Sequence, residues 1–181
     1  MKEWQNVGIW DRIWRTLLGM LQEKKKLNWD QVYLDGSFVA AKCGGTGIGE
    51  TKMGKGSKIM AVAEKNGIPI GILDDSVQPH EITLAERTLA TIRVPAKRGR
   101  PYRRFRELVA DRPYHSKAFR HAIRKKGAKP TIPGRKGDKK GKGRPFAVGN
   151  GYQQRWKIER CFAWMDNNRR LVVRYERHIQ H

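Results

Sequence analysis

The stretch IMAVAEKNGIPIGIL, residues 59–73, predicts the centre of the fold. Its apolar runs IMAVA and IPIGIL flank Asn66-Gly67, and an Asn-Gly pair between such runs is the strongest short signal for a β-hairpin. Upstream, residues 31–40 (QVYLDGSFVA) are rich in β-branched and aromatic side chains, which indicates a further strand. The three strands together predict a three-stranded antiparallel meander.

Helical and strand patterns alternate around this meander. Residues 8–22 repeat apolar side chains at three- and four-residue steps, which predicts an amphipathic helix packing on the core from an N-terminal segment, residues 1–30. Further elements are predicted downstream: a helix over 80–90, a strand over 105–110, a helix over 116–126 closed by Gly127, a strand over 128–132 and a helix from Tyr152. The order indicates an α/β domain over residues 31–181, a mixed sheet flanked by helices.

The chain carries a large excess of positive charge. Its 181 residues include 39 Lys and Arg against 17 Asp and Glu, a net charge of +22. The usual complement of such an excess is a polyanion, and nucleic acid is favoured over an acidic membrane surface or an acidic protein. Residues 43–57 and 133–150 combine glycine and basic residues with few apolar ones, which predicts flexible basic loops.

Cysteine count and hydropathy narrow the class of protein. Cys43 and Cys161 are the only cysteines and form no C-x-x-C pair, so neither a zinc site nor a disulfide framework is indicated. No apolar run reaches membrane-spanning length, and no apolar signal segment opens the chain. These features predict a soluble cytoplasmic protein, associated with the nucleoid through its charge.

Three acidic residues occupy positions from which the predicted elements could bring them together. Asp35 lies inside the first strand, where aspartate is a poor strand former, and Asp111 directly follows a later strand. Glu159 lies on the last helix, and Tyr152 and Arg155 share its face at helical spacing. Considered singly, Asp35 could cap a turn at Gly36, and Glu159 could form an ordinary surface ion pair.

Taken together, the three acids indicate a metal site. Converging carboxylates would repel one another unless a cation neutralised them, and hard divalent cations prefer oxygen ligands. Two Mg²⁺ ions about 4 Å apart are a standard device for in-line attack on a phosphodiester. The sequence therefore predicts a two-metal site beside basic residues that hold a DNA backbone.

The chain resembles the catalytic domain of bacterial insertion-sequence DDE transposases over nearly its whole length. The resemblance rests on YLDGS at 33–37, on VADRPY at 109–114 and above all on the Y-x2-R-x3-E signature at Tyr152, Arg155 and Glu159. The stretch FAWMDNNRRLVVRYER that follows is similar to the family's usual continuation. The resemblance implies an RNase H-like fold, with DNA cleavage and strand transfer at the ends of an insertion sequence, supported by Mg²⁺ or by Mn²⁺ in its place.

The resemblance also implies roles for individual residues. Asp35, Asp111 and Glu159 correspond to the catalytic, metal-binding acids, whereas Tyr152 and Arg155 would contact DNA. Further DNA contacts are expected from five basic residues: Lys52, Lys55, Lys58, Arg169 and Arg170. The last two would replace a basic residue that the family often carries where this chain has Asp166.

The resemblance names partners as well. The DNA would be double-stranded and would comprise the terminal inverted repeats and a target. Family members usually have a substantial N-terminal segment, so a truncated copy, or the downstream half of a frame-shifted pair of reading frames, is expected here. A homodimer and the product of an upstream reading frame are therefore the expected protein partners.

Two other functions are compatible with the same residues. A structure-specific nuclease of the same fold would use the same acids without requiring particular end sequences. A non-catalytic basic nucleic-acid-binding protein would need only the charge and would show no metal requirement. Metal binding that is lost when any one acid is removed distinguishes an enzyme from the second alternative.

Overall fold

A computed structural model describes residues 2–134 and 150–177 of the chain, so most of the predicted loop over 133–150 lies outside the described residues. The helices are α1 (Lys2–Asn6), α2 (Ile9–Glu23), α3 (Glu81–Thr91), α4 (Lys117–Lys125), α5 (Asn150–Gln153), α6 (Trp156–Asp166) and α7 (Arg169–Val172), with a 3₁₀ turn at Arg112–Tyr114. The strands are β1 (Gln31–Ala41), β2 (Gly49–Thr51), β3 (Gly54–Glu64), β4 (Pro69–Ser76), β5 (Glu107–Ala110), β6 (Lys129–Thr131) and β7 (Val173–Arg174).

These seven strands form one mixed sheet. β3 runs antiparallel to both β1 and β4, which is the predicted meander, and β2 pairs antiparallel with the first residues of β3. On the other side of β1, β5 and then β6 run parallel to it, while β7 pairs with the end of β1. The predicted α/β class is confirmed, and the order β4-β3-β1-β5-β6 is that of an RNase H-like sheet flanked by helices.

The predicted hairpin at Asn66-Gly67 joins β3 to β4 and is fixed by a buried carboxylate. Gly67 has φ +91°, a conformation that favours glycine over other residues. The fully buried Glu64 accepts hydrogen bonds from the backbone N–H groups of Asn28, Asn66 and Ile68 at 2.8, 2.9 and 3.1 Å. The turn is thereby tied to the segment that leads into β1.

The two faces of the sheet are covered by different helices. One face, with Val32, Leu34, Met60, Val62 and Leu108, belongs to a large core that includes Leu18 of α2, Leu84 of α3 and Phe119 of α4. The other face, with Tyr33, Ala61, Ala63 and Val109, packs against Ile158 and Cys161 of α6. Because side chains alternate along a strand, Asp35 falls on the same face as Tyr33, which is the face that α6 covers.

The prediction of a flexible loop over residues 43–57 is wrong, because this stretch contains β2 and the start of β3. Two of its glycines, Gly49 and Gly56, allow close packing of the strands. A Cβ atom at Gly56 would lie 2.5 Å from the Phe38 ring, and one at Gly49 would lie 2.7 Å from the Ser76 hydroxyl oxygen. High glycine content therefore marked a tightly packed hairpin that composition alone does not distinguish from a loop.

The structure also adds elements that the sequence patterns did not indicate. α1 and β7 were not predicted, and the helix expected from Tyr152 is divided into α5 and α6. The division consists of a short turn at Gln154 and Arg155, in which the Arg155 N–H bonds the Tyr152 carbonyl and the Ile158 N–H bonds the Arg155 carbonyl, both at 3.1 Å. These are i to i+3 bonds, so the chain tightens locally into a 3₁₀-like turn between the two helices.

Candidate active site

Asp35 and Asp111 are brought together by the pairing of β1 with β5. The parallel register aligns Leu34 of β1 with Ala110 of β5. The residue that follows Leu34 is Asp35, and the residue that follows Ala110 is Asp111. Neighbouring strands are roughly 4.8 Å apart, and both acids lie on the face that α6 covers. The sequence patterns identified both strands, and the register decides that the acids are neighbours.

Glu159 reaches the same edge of the sheet from α6. The helix is anchored by Ile158, which is buried beneath it, while the side chain of Glu159 remains 55% exposed. Ile158, Phe162 and Met165 form the apolar face of α6 that contacts the sheet. Because successive helical residues are about 100° apart, Glu159 lies off the buried face that Ile158 occupies.

Tyr152 and Arg155 supply the hydrogen-bond partners of the three acids. The Tyr152 hydroxyl donates to Asp111 Oδ1 at 2.7 Å. Arg155 donates from Nη1 to Asp35 Oδ2 at 2.7 Å and from Nη2 to Glu159 Oε1 at 2.6 Å. The two residues expected to contact DNA therefore bind the acidic side chains in this structure, and each acid has a partner.

The pKa values of the two aspartates move in opposite directions. Burial raises the pKa of Asp35, and the charge of Asp111 adds to the rise against the opposing effects of the Gly36 N–H and Arg155. Burial also acts to raise the pKa of Asp111, but the Tyr152 hydroxyl, the Arg112 N–H and nearby arginine charges together lower it. Asp35 is thus the acid that is costlier to keep charged, which fits a position that needs a cation beside it.

The three carboxylates are suitable ligands for a hard divalent cation. In this structure, however, the place between Asp35 and Glu159 is taken by the guanidinium of Arg155. Three carboxylates are the ligands that Mg²⁺ prefers. Within residues 2–134 and 150–177, however, no group of three His, Cys, Asp or Glu side chains lies at metal-binding spacing. Instead, the Arg155 guanidinium lies between Asp35 and Glu159 and supplies the positive charge.

The five basic residues expected to contact DNA are found in two environments. Lys52 and Lys55 lie exposed at the turn between β2 and β3, and Arg169 and Arg170 are exposed on α7. Of these, Arg170 pairs with Glu176 at 2.7 Å, and Arg169 lies over the Tyr175 ring at 5.7 Å.

Lys58 is different, because its side chain is only 17% exposed and forms an ion pair with Glu81 at the start of α3. It lies on β3 opposite Phe38, three residues beyond Asp35 along β1. Because side chains alternate along a strand, Lys58 lies on the face of the sheet opposite to Asp35, and it already has a carboxylate partner.

Tyr114 is a neighbour of the site that the sequence analysis did not single out. It follows Asp111 in the 3₁₀ turn and is almost fully buried. Burial, together with the charges of Asp35, Glu81 and Asp111, raises the pKa of Tyr114 well above its ordinary value. Its hydroxyl therefore stays protonated beside the acids. In the sequence, Tyr114 could have been noticed as the aromatic residue at the end of the VADRPY segment.

Fold and site together define an RNase H-like protein with three acids at the edge of the central strands, and comparison with known proteins agrees with that class. The model of a family described as "Transposase DDE domain" matches residues 31–180. The chain belongs to this family, and the predicted resemblance is confirmed. Domains of this family generally depend on divalent metal ions.

Individual relatives show how much of a longer protein the chain resembles. It is 32% identical over 123 residues to a putative transposase for insertion sequence element IS402 from Burkholderia cepacia, which is 67% of this chain and 54% of that relative. The chain thus spans about half the length of the curated relative that it matches. A piggyBac transposase synaptic complex with hairpin DNA, studied by cryo-EM, is 13% identical with a TM-score of 0.41 over 64% of this chain and 27% of that one, too distant to support a conclusion.

Two further observations bear on a membrane location and on the alternative function. None of the helices in the described ranges is long and apolar enough to cross a membrane. The matched family does not favour the alternative of an unrelated basic nucleic-acid-binding protein.

Proposed function

We propose that this chain carries the catalytic centre of a DNA transposase, with Asp35, Asp111 and Glu159 as its metal-binding catalytic residues. The observation that supports the proposal is their convergence. Acids from β1, from the end of β5 and from α6 lie on the side of the sheet that α6 covers, where Arg155 bonds Asp35 and Glu159 and Tyr152 bonds Asp111. Membership of the DDE transposase family supports the same assignment.

The three carboxylates would hold two Mg²⁺ ions, with Mn²⁺ as a substitute. Such ions, when bound, activate a water or 3′-hydroxyl for attack and neutralise charge on the leaving oxygen. Arg155 would have to release Asp35 and Glu159, because it occupies oxygens that the ions need. Its planar guanidinium would then be free to bind a DNA phosphate with two hydrogen bonds. Tyr152 would continue to orient Asp111 and face the DNA near the cleaved end.

The proposed substrates are terminal inverted repeats and a target duplex, on which the protein would work at the nucleoid. β3 pairs Gly56 with Ala40, so the turn after β2 lies beyond the end of β1. β7 pairs Val173 with Ala40 in parallel, so helix α7, which directly precedes β7, lies beside the C-terminal part of β1. Lys52, Lys55, Arg169 and Arg170 would therefore contact the DNA backbone on that side of the acids. Lys58 would join them only by exchanging Glu81 for a phosphate.

A cleavage assay tests the catalytic assignment. Asp35→Asn, Asp111→Asn and Glu159→Gln each keep the shape of the side chain and remove its charge. With Mg²⁺ and DNA that contains the element ends, each variant should cleave at least about 100-fold more slowly than wild type, because each removes one ligand of the charge-stabilising ions. The measured quantity is the rate of strand cleavage.

Asp166→Asn provides the matched control, since Asp166 is an exposed acid at the end of the same helix α6. It should cleave as fast as wild type. Triad variants that retain wild-type rates would disprove the assignment. Joining of the cleaved end to target DNA, rather than nicking alone, separates a transposase from the alternative nuclease of the same fold.

The protein partners stay predictions. A homodimer would bridge two element ends, and the surface best suited to it is the apolar side of α1 and α2, which leaves large side chains about half exposed: Trp4, Val7, Trp10, Ile13, Leu17 and Met20. Sedimentation velocity of the purified chain, alone and with DNA, tests whether a dimer forms. The product of an upstream reading frame stays an expectation as well.

A further inference from the structure

The outer face of α6 carries two tryptophans with an arginine between them. Trp156, Arg160 and Trp164 are four residues apart and therefore lie on one face of the helix. The Arg160 guanidinium carbon lies 4.9 Å from the centre of the Trp156 ring and 5.0 Å from that of Trp164. We call these three residues the indole array. None of the catalytic roles proposed above uses it.

The indoles of the array are open to solvent although they are large apolar groups. Trp156 is 46% exposed and Trp164 is 57% exposed, and the apolar contacts of α6 are made on its opposite side by Ile158 and Cys161. A stabilising role in the core therefore does not account for them. Exposed aromatic rings combined with positive charge are typical of surfaces that bind nucleic acid.

The β3–β4 turn holds the array in a fixed position. Arg160 donates from Nη2 to the Asn66 carbonyl at 3.1 Å, and Lys157 donates from Nζ to the Lys65 carbonyl at 2.8 Å. A Cβ atom at Gly67 would lie 2.8 Å from Arg160 Nη2, so glycine at this turn leaves the space that the arginine occupies. The rings are thus held on a rigid support rather than on a mobile loop.

Charge around the array suits a polyanion. The two α6 side chains over these rings are both cations, with Lys157 Nζ also 6.0 Å from the centre of the Trp156 ring. Arg160 Nε is buried and has no hydrogen-bond partner among the described residues, so the guanidinium is held by the rings and one carbonyl rather than by a carboxylate. Within residues 2–134 and 150–177, its charge therefore has no carboxylate partner.

The array begins beside the candidate active site. Trp156 directly follows Arg155, which contacts Asp35 and Glu159, and Trp164 lies about 12 Å further along the helix axis. A strand of DNA held at the acids could therefore continue along this face. In a duplex the faces of the bases are covered by their neighbours, so only unpaired bases can stack on the rings.

We propose that the indole array binds single-stranded DNA by stacking unpaired bases on Trp156 and Trp164, while Arg160 and Lys157 attract the adjoining phosphates. The proposal extends the function above and rests on it only for the source of the strand, because cleavage at an element end creates a strand end whose bases can unpair there. Binding itself requires neither the metal nor the three acids.

Binding of fluorescein-labelled 12-nucleotide single strands, compared with 12-base-pair duplexes, tests the proposal in buffer that contains EDTA. Trp156→Ala and Trp164→Ala should each weaken single-strand binding roughly 5- to 150-fold, which corresponds to the loss of one stacked base. Duplex affinity should change less than about twofold. Because EDTA prevents metal-dependent cleavage, failure of the catalytic proposal would leave this result unchanged.

Tyr102→Ala is the matched control, because Tyr102 is an aromatic residue that is 44% exposed but lies between α3 and β5. It should leave single-strand affinity unchanged. Trp156→Phe keeps an aromatic face and should retain most of the affinity, which answers the case in which the alanine variant fails to fold. Unchanged single-strand binding by folded Trp156→Ala and Trp164→Ala would overturn the proposal. So would a Trp156→Phe variant that loses affinity for single strands and for duplexes to the same extent.

Discussion

At the scale of single residues, Arg155 determines the state of the acidic site. Two aspartates on adjacent strands repel one another, and burial adds to the cost of charging Asp35. Arg155 offsets this repulsion by bonding both Asp35 and Glu159, and three nearby carboxylates in turn raise its own pKa against the opposing effect of burial. The guanidinium thus stands in for the positive charge that a metal would bring.

Replacement of this arginine should therefore make the fold depend on metal. Arg155→Ala should lower the free energy of unfolding by about 2 kcal/mol, because it removes hydrogen bonds between charged groups that are mostly buried. The melting temperature without metal should fall by about 4–8 °C. Mg²⁺ should raise the melting temperature more in the variant than in wild type. Without Arg155, the carboxylates lack a neutralising charge, and no arginine competes with the ion for them.

Differential scanning fluorimetry with and without Mg²⁺ measures both effects. Arg112→Ala is the control, because Arg112 is an exposed arginine beside Asp111 that does not bridge the acids. An Mg²⁺-induced shift in Arg155→Ala no larger than that of wild type would contradict the view that the arginine and the metal compete.

At the scale of elements, the β3–β4 hairpin both builds the sheet and supports the helix of the site. Its turn was predicted from Asn66-Gly67 because that pair adopts the backbone conformation that a tight hairpin needs. The contacts of Asn66 and Lys65 with α6 were not predictable, since they join residues about ninety positions apart in sequence. The way in which α6 docks on the β3–β4 turn depends on the packing of the whole core.

Gly67→Ala should test the double role of this turn. The residue has φ +91°, and its new Cβ would meet Arg160 Nη2. The variant should be less stable by about 1–2 kcal/mol, as expected for a non-glycine residue at positive φ. Urea denaturation monitored by circular dichroism measures the change.

Gly44→Ala is the matched control, because no atom lies within 4 Å of a Cβ at Gly44 and no positive φ is required there. It should be as stable as wild type. Equal stability of Gly67→Ala and wild type would show that the turn does not constrain the helix.

At the scale of the whole molecule, the net charge of +22 should dominate the proposed association with DNA. Each phosphate that the protein neutralises releases counterions, so affinity falls steeply as salt rises. If duplex binding uses six or more contacts, the affinity should fall at least about 10³-fold between 50 and 200 mM salt. A fluorescence anisotropy titration of a duplex at several salt concentrations gives this dependence.

Single basic residues should then change the slope by predictable amounts. Lys52→Ala and Lys55→Ala should each reduce the slope of log affinity against log salt by about one if each contacts a phosphate. Lys24→Ala, at an exposed lysine after α2, should leave the slope unchanged. Equal slopes for all three variants would remove the turn between β2 and β3 from the DNA-binding surface.

The sequence by itself determined the α/β class, the meander, most helices and the family, because these depend on local periodicity, turn residues and a spaced signature. It could not reveal that glycines at 49 and 56 pack strands, since composition is the same in a tight hairpin and a loose loop. Only the tertiary structure decided that Asp35 and Asp111 lie side by side and that Arg155 bridges Asp35 and Glu159. The physical reason is that strand register and helix docking are set by long-range packing, which no local pattern contains.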